Sequence, residues 1–330
     1  MFGGNVRFPA LCVNISLKRY TRGGCVESEK AYKIKIEVEG KNQEISILSL
    51  PTAVEHGNKV EEACRHSQLD AAYDIETLKK TGIHVSSNQN GKISLRDLLG
   101  DALKDGHNVF LAGHRSDYIK SSAEKLLAAE QYLTMHPEEI GRTHFVFFIQ
   151  EKEPNLAYQS ITAYQSMVFN KAKELRERFG DSIIVASEGI PNGDYLALIR
   201  EKNVIGFLGV ARLEGHDTTV REAIAANLDK DDAKLAIITT DGIGATDVIK
   251  GTQSNPGAFI IKGGNVPMRD FVDSLVSTFE KIVDLQVSQD GIQELKDRFT
   301  VMKCASEKYN PAKIREILNN ALSINTPYRT

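Results

Sequence analysis

From Asn108 onward the chain repeats one pattern six times, a short unbroken apolar run followed by a stretch with helical spacing. The runs are "NVFLAG" (108–113), "THFVFFIQ" (143–150), "SIIVAS" (182–187), "VIGFLGV" (204–210), "KLAIITT" (234–240) and "AFIIKGG" (258–264). Continuous runs rich in Val, Ile and Phe suit strands buried on both faces of a parallel sheet. The stretches between and after them, 121–135, 157–179, 193–202, 217–228, 243–250 and 266–285, are expected to be helices. Strands alternating with helices imply an α/β fold, a Rossmann-like doubly wound parallel sheet. Sheets of this kind bind ligands at the carboxyl ends of their strands.

The flanks are less regular. "AYKIKIEVEG" alternates with period two and turns through "EGKN" into "QEISILSL", which predicts a strand pair. Residues 59–81 are expected to be helical, and "NQNGKISLRDLLGDALKDG" reads as a turn and a short amphipathic helix. The tail, 289–323, reads as two helices, the second starting at "NPAKIREIL" with Asn310 as cap and Pro311 in its first turn. The expected organisation is a partial N-terminal region and linker (1–105), a ligand-binding Rossmann-like domain (106–286) and C-terminal helices (287–330).

Charge and cysteine usage narrow the function classes. A formal net charge of −3 over 330 residues, without a basic block, gives no ground for nucleic-acid binding. No stretch of about 18 apolar residues predicts a membrane span. Cys12, Cys25, Cys64 and Cys304 lack zinc or redox spacing and are read as free thiols in a reducing, cytoplasmic setting. Cys64 and His66 are read as structural, so no metal site is expected.

Three segments after predicted strands carry candidate chemistry. In "AGHRSDYIKS" (112–121), Arg115 and Lys120 stand at the mouth of a strand, before a helix whose free N–H groups favour an anion. In "ARLEGHDTTVREAIA" (211–225), Glu214 and Gly215 lie in the loop, and His216, Asp217, Thr218 and Thr219 offer first-turn amides to a diphosphate. Glu222 stands about one turn further on, placed to accept hydrogen bonds from vicinal hydroxyls. In "TTDGIGATDVI" (239–249), Gly242 and Gly244 either bring backbone near a ligand or make a strand–helix turn. Singly, each segment is equally a solvated turn, and a carboxylate early in a helix is an ordinary dipole partner. The Asp-x-Asp of "DKDD" (229–232) reads as a solvated linker rather than a cation site.

Together, and in this order, the segments resemble the trehalose-6-phosphate synthase family of retaining GT-B glycosyltransferases. "HRSDYIKSSAEKLLAAEQYLTMHPE" is similar to that family's "DRLDYxKGxxxKLxAFExFLxxHPE", and "AYQSMVFNKAKELRERFG" to the helix that follows it. "EGHDTTVREAIA" aligns without gaps on "DGMNLVAKEYVA", and upstream "ISILSLPTAVEH" looks like a degenerate "VGAFPIGIDPERF". The likeness spans roughly residues 30–285 and is specific near 113–180 and 211–226.

The resemblance implies a nucleotide diphosphate-sugar donor, UDP-glucose by family default, and an acceptor such as a sugar phosphate, with no cofactor. Arg115 and Lys120 would bind the donor diphosphate. Glu214 and the backbone from Gly215 to Asp217 would hold the sugar, Thr218 and Thr219 would meet phosphate, and Glu222 would hold the ribose. Departures from the pattern include Gly113-His114 for Val-Asp, Glu214 for Asp and His216-Asp217 for Met-Asn. Family members also carry an N-terminal Rossmann-like domain that supplies the acceptor side, and only about a hundred residues precede "NVFLAG". The expectation is therefore a donor-binding half, with the acceptor side rebuilt or supplied by a missing domain or a partner chain. A non-catalytic nucleotide-sugar-binding or regulatory domain, or a transferase using a GDP- or ADP-sugar and a protein acceptor, are the alternatives.

Overall fold

The computed structural model describes residues 16–20, 30–38, 41–49, 56–85, 91–151, 159–212, 218–243, 245–307 and 316. Contacts divide the chain into two units at Pro51–Thr52. In the first unit, strands β1 (Ser16–Tyr20), β2 (Lys30–Val38) and β3 (Lys41–Ser49) form an antiparallel sheet in that order. The expected strand pair is β2 and β3, in register from Lys30–Ser49 to Val38–Lys41.

The second unit opens with α1 (His56–Arg65), β4 (Ala72–Asp74), α2 (Ile75–Lys79), β5 (Lys92–Ser94) and α3 (Leu95–Leu99). The helix expected over 59–81 is thus two helices around a short strand that pairs with β5. The break has a local cause. Leu69 is fully buried with φ 53°, which ends the first helical path, and Asp74 starts another by accepting from the Glu76 and Thr77 amides.

Six parallel strands follow: β6 (Asn108–Arg115), β7 (Thr143–Gln150), β8 (Ile183–Ala186), β9 (Val204–Gly209), β10 (Ala236–Thr240) and β11 (Phe259–Ile261). Each falls on one of the six apolar runs. The helices between and after them are α4 (Ser122–Met135), α5 (Gln159–Phe179), α6 (Asn192–Ile199), α7 (Thr218–Ala225), α8 (Thr246–Ile249), α9 (Met268–Val287) and α10 (Gln289–Glu307). The expected second tail helix lies outside the described residues, save Glu316.

Alternate residues of each strand feed two cores. Val109 and Leu111 of β6, with Val146 and Phe148 of β7, pack toward the side of α6, α7, α8 and α10. Phe110 and Ala112, with Phe145, Phe147 and Ile149, pack toward α4, α5 and α9. Burial on both faces explains why these strands are apolar at every position rather than at every second one. The strand order is β11-β10-β9-β6-β7-β8. The chain winds from β6 through β7 to β8, then returns to β9 and winds the other way. The reversal between β6 and β9 is the switch point at which such sheets open a crevice beyond their carboxyl ends. Among the described residues, no helix is long and apolar enough to cross a membrane.

Candidate functional site

Both principal motifs leave the sheet at this switch point. β6 ends at Arg115, whose side chain is more than half exposed and lies 3.4 Å from Asp117. The chain then makes a 3-10 turn, Tyr118–Lys120, which buries Lys120, and enters α4 through Ser121. Lys125, buried inside α4, donates to the Lys120 carbonyl at 2.9 Å and fixes the turn. From the next layer α5 supplies two anchors: the Tyr164 hydroxyl accepts the Ala123 amide at 3.1 Å, and Gln165 donates to the Ser116 hydroxyl. The helix resembling the family sequence thus clamps the loop that carries the basic pair.

The buried Lys120 and Lys125 bear on the neighbouring His114. His114 has its pKa pushed well below the ordinary value by burial, then by the charges of Lys125 and Lys120. Its Nδ1 lies 3.2 Å from the Arg115 carbonyl, the contact of a neutral imidazole that keeps its Nε2 lone pair. That Nε2, and the hydroxyl of the fully buried Ser121, have no hydrogen-bond partner among the described residues. Buried polar atoms are rarely left this way.

The second motif is tied to the first through Arg212, just after β9. Its amide donates to the Ile119 carbonyl at 2.8 Å, and its Nε lies 3.1 Å from Glu124 of α4. Its guanidinium also donates to the Val266 carbonyl and stacks 4.2 Å from the centre of the Phe271 ring. Its carbonyl accepts the Gly264 amide at 2.6 Å. A Cβ on Gly242 would lie 2.8 Å from the same carbonyl, so Gly242 serves close packing of the loop after β10. Gly244 lies outside the described residues.

Glu214, Gly215, His216 and Asp217 also lie outside the described residues. Thr218 and Thr219 are the first two residues of α7, as expected. Glu222 stands one turn further on with its carboxylate 3.1 Å from Lys59 of α1, which also reaches Glu62 at 3.5 Å. Sequence spacing gave no hint of that lysine, since 163 positions separate it from Glu222. Arg212 was equally invisible as a site residue, because it acts through neighbours distant in sequence. The Asp229 of "DKDD" pairs with both guanidinium nitrogens of Arg200, which holds its pKa low, in keeping with a linker. Cys64 and Cys304 are exposed free thiols, while Cys12 and Cys25 lie outside the described residues.

No family model and no curated protein matches the sequence. Solved structures do. An α,α-trehalose-phosphate synthase (UDP-forming) from Burkholderia xenovorans, in complex with glucose-6-phosphate, superposes with a TM-score of 0.67 at 13% identity, over 94% of this chain and 56% of that one. The chain has the fold of half a trehalose-6-phosphate synthase. The corresponding enzyme from Burkholderia vietnamiensis gives 0.65 at 15% identity, over 88% and 53% of the two chains. An E. coli structure bound with UDP-2-fluoro glucose gives 0.63 at 15% identity, over 93% and 56%. The chain spans about half the length of these proteins, and the likeness is to the GT-B fold they share.

Proposed function

We propose that the crevice beyond β6 and β9 binds a nucleotide diphosphate-sugar, UDP-glucose in the first instance, for retaining transfer of the hexose to an acceptor such as a sugar phosphate. The observation that carries this reading is the joining of the two motif loops at the switch point through Arg212. Departure of a nucleoside diphosphate concentrates negative charge on its phosphates. Arg115, Lys120 and the first-turn amides at Thr218 and Thr219 would stabilise that charge without reorganising. Glu214 and the backbone of Gly215, His216 and Asp217 would hold the sugar, and Glu222, steadied by Lys59, would accept the ribose hydroxyls. Residues 106–286 would form the donor-binding domain, with the acceptor side built from elsewhere. Two exposed free thiols suit a reducing cytoplasm.

Loss of one charge-assisted hydrogen bond costs about 1.5–3 kcal/mol, roughly 10- to 150-fold in affinity. Arg115→Ala and Lys120→Ala should each weaken UDP-glucose binding by that factor in calorimetry, with the fold intact by circular dichroism. Wild-type affinity in both variants would sink the assignment. Release of nucleoside diphosphate from UDP-, GDP- and ADP-glucose, with and without glucose-6-phosphate, then tests transfer. Turnover that requires the sugar phosphate supports it; binding without turnover makes the domain a regulatory binder instead.

A further inference from the structure

Three side chains from two distant parts of the sequence meet at the start of α6. His66 follows α1, Asp70 lies in the link to β4, and Asp194 is in the first turn of α6. Each offers one ligand atom, and the three atoms lie within 4.8 Å of one another. Asp194 is 3% exposed, with Oδ2 3.2 Å from His66 Nδ1 and Oδ1 accepting the Ala71 amide at 3.3 Å. Both contacts are long for hydrogen bonds to a carboxylate. No lysine or arginine among the described residues pairs with Asp194, although a buried carboxylate calls for a paired charge or a metal ion.

A second observation comes from Tyr73, on the strand beside this cluster. It is 2% exposed, and its hydroxyl has no hydrogen-bond partner among the described residues. Its pKa is driven up by burial first and then by the charges of Asp194 and Glu188, so the stranded hydroxyl sits in the field of the same carboxylate. The imidazole is itself seated. A Cβ on Gly193 would lie 2.4 Å from His66 Cδ2, so only glycine lets the ring lie against the start of the helix. The separation of the donors fits an ion between them. Ligand bonds of about 2.0–2.1 Å at a tetrahedral angle place two donor atoms about 3.4 Å apart, close to the 3.2 Å between His66 Nδ1 and Asp194 Oδ2.

We propose that His66, Asp70 and Asp194 bind one divalent transition-metal ion of the zinc class. One imidazole and two carboxylates form a nitrogen–oxygen set that zinc and manganese accept. The ion neutralises the buried Asp194 and ties the segment between α1 and β4 to the start of α6. His66 keeps 43% of its side chain exposed and Asp70 is exposed, so water completes the coordination. The site uses none of the residues assigned to the proposed donor crevice.

The test uses the untagged full chain, stripped of metal with a chelator and titrated with Zn²⁺ by calorimetry. One equivalent should bind, and the melting temperature should rise with Zn²⁺. Loss of an outer partner of a metal site already costs roughly 10- to 100-fold in affinity. His66→Ala and Asp70→Asn should therefore each weaken binding by at least about 100-fold and abolish the thermal shift. Both substitutions alter accessible side chains, and unchanged melting of the metal-free variants checks that they fold. A wild-type chain that takes up no stoichiometric Zn²⁺, or binding that survives either substitution, overturns the site.

Discussion

Ser121 holds φ 58° and ψ 37° at the entry to α4 and caps nothing with its buried hydroxyl. The left-handed region costs an L side chain about 1–2 kcal/mol, and a stranded buried hydroxyl costs about 1–3 kcal/mol more. The family segment that this stretch resembles carries glycine here, a residue free of both costs. Ser121→Gly should therefore stabilise the chain, by about 1 kcal/mol after the greater entropy of an unfolded glycine is subtracted. A urea melt reads this as a raised midpoint with unchanged slope. Ser121→Val should lower the midpoint, since a β-branched side chain resists this conformation. A lower midpoint for the glycine variant would mean that the hydroxyl contributes something its surroundings do not show. Such a conformation was not legible from "IKSSAE", because serine is an ordinary cap residue and nothing local demands a positive φ.

Between elements, Arg212 joins the loops after β6, β9, β10 and β11. Its ion pair with Glu124 is largely buried, with side-chain exposures of 18% and 8%. Removing one partner of a buried pair strands the other, at about 3–5 kcal/mol. Arg212→Ala should thus cost about 3 kcal/mol in chemical denaturation, and Arg212→Lys, which keeps charge but not the fork or the ring stacking, should cost less. Equal losses in the two would assign the effect to the fork and the ring stacking rather than to the charge. The elements that Arg212 connects were legible for a simple reason. Strands buried on both faces leave continuous apolar runs, and the helices between them keep their period. Residues 59–81 misled because the helical spacing persists through Leu69, where tertiary burial sets a left-handed backbone. The convergence on Arg212, the Lys59–Glu222 pair and the His66–Asp194 contact were not legible at all. Each joins residues dozens to more than a hundred positions apart, and a single sequence carries no record of which of its charges meet.

On the scale of the whole molecule, the central strand β6 has a buried imidazole beyond its amino end and a half-buried one at its carboxyl end. Beyond its amino end, His107 Nδ1 lies 2.9 Å from His144 Nε2, with the rings stacked at 5.1 Å, and His144 Nδ1 lies 2.8 Å from the Asp181 carbonyl. Burial, and secondarily the charge of His107, lowers the His144 pKa against the pull of Asp181. His114 at the carboxyl end is lowered further. Above the ordinary histidine pKa of about 6.5, neither folded nor unfolded chain protonates these groups, and they do not affect stability. Below it the unfolded chain binds protons that the folded chain refuses, so stability falls with pH, by up to about 1.4 kcal/mol per pH unit for each group that stays neutral. His136 has the opposite sign. Its hydrogen bond to Glu280 raises its pKa, so its contribution is present below about 6.5 and lost as pH rises through the folded value. It is partly exposed and solvent weakens that term, so the fully buried His144, helped by His114, dominates. The urea midpoint should accordingly drop between pH 7 and 5.5. His144→Gln, whose amide can still donate to the Asp181 carbonyl and accept from His107, should flatten the slope by about one proton. An unchanged slope in that variant would remove His144 from the account and leave the acid sensitivity to His114, at the mouth of the crevice.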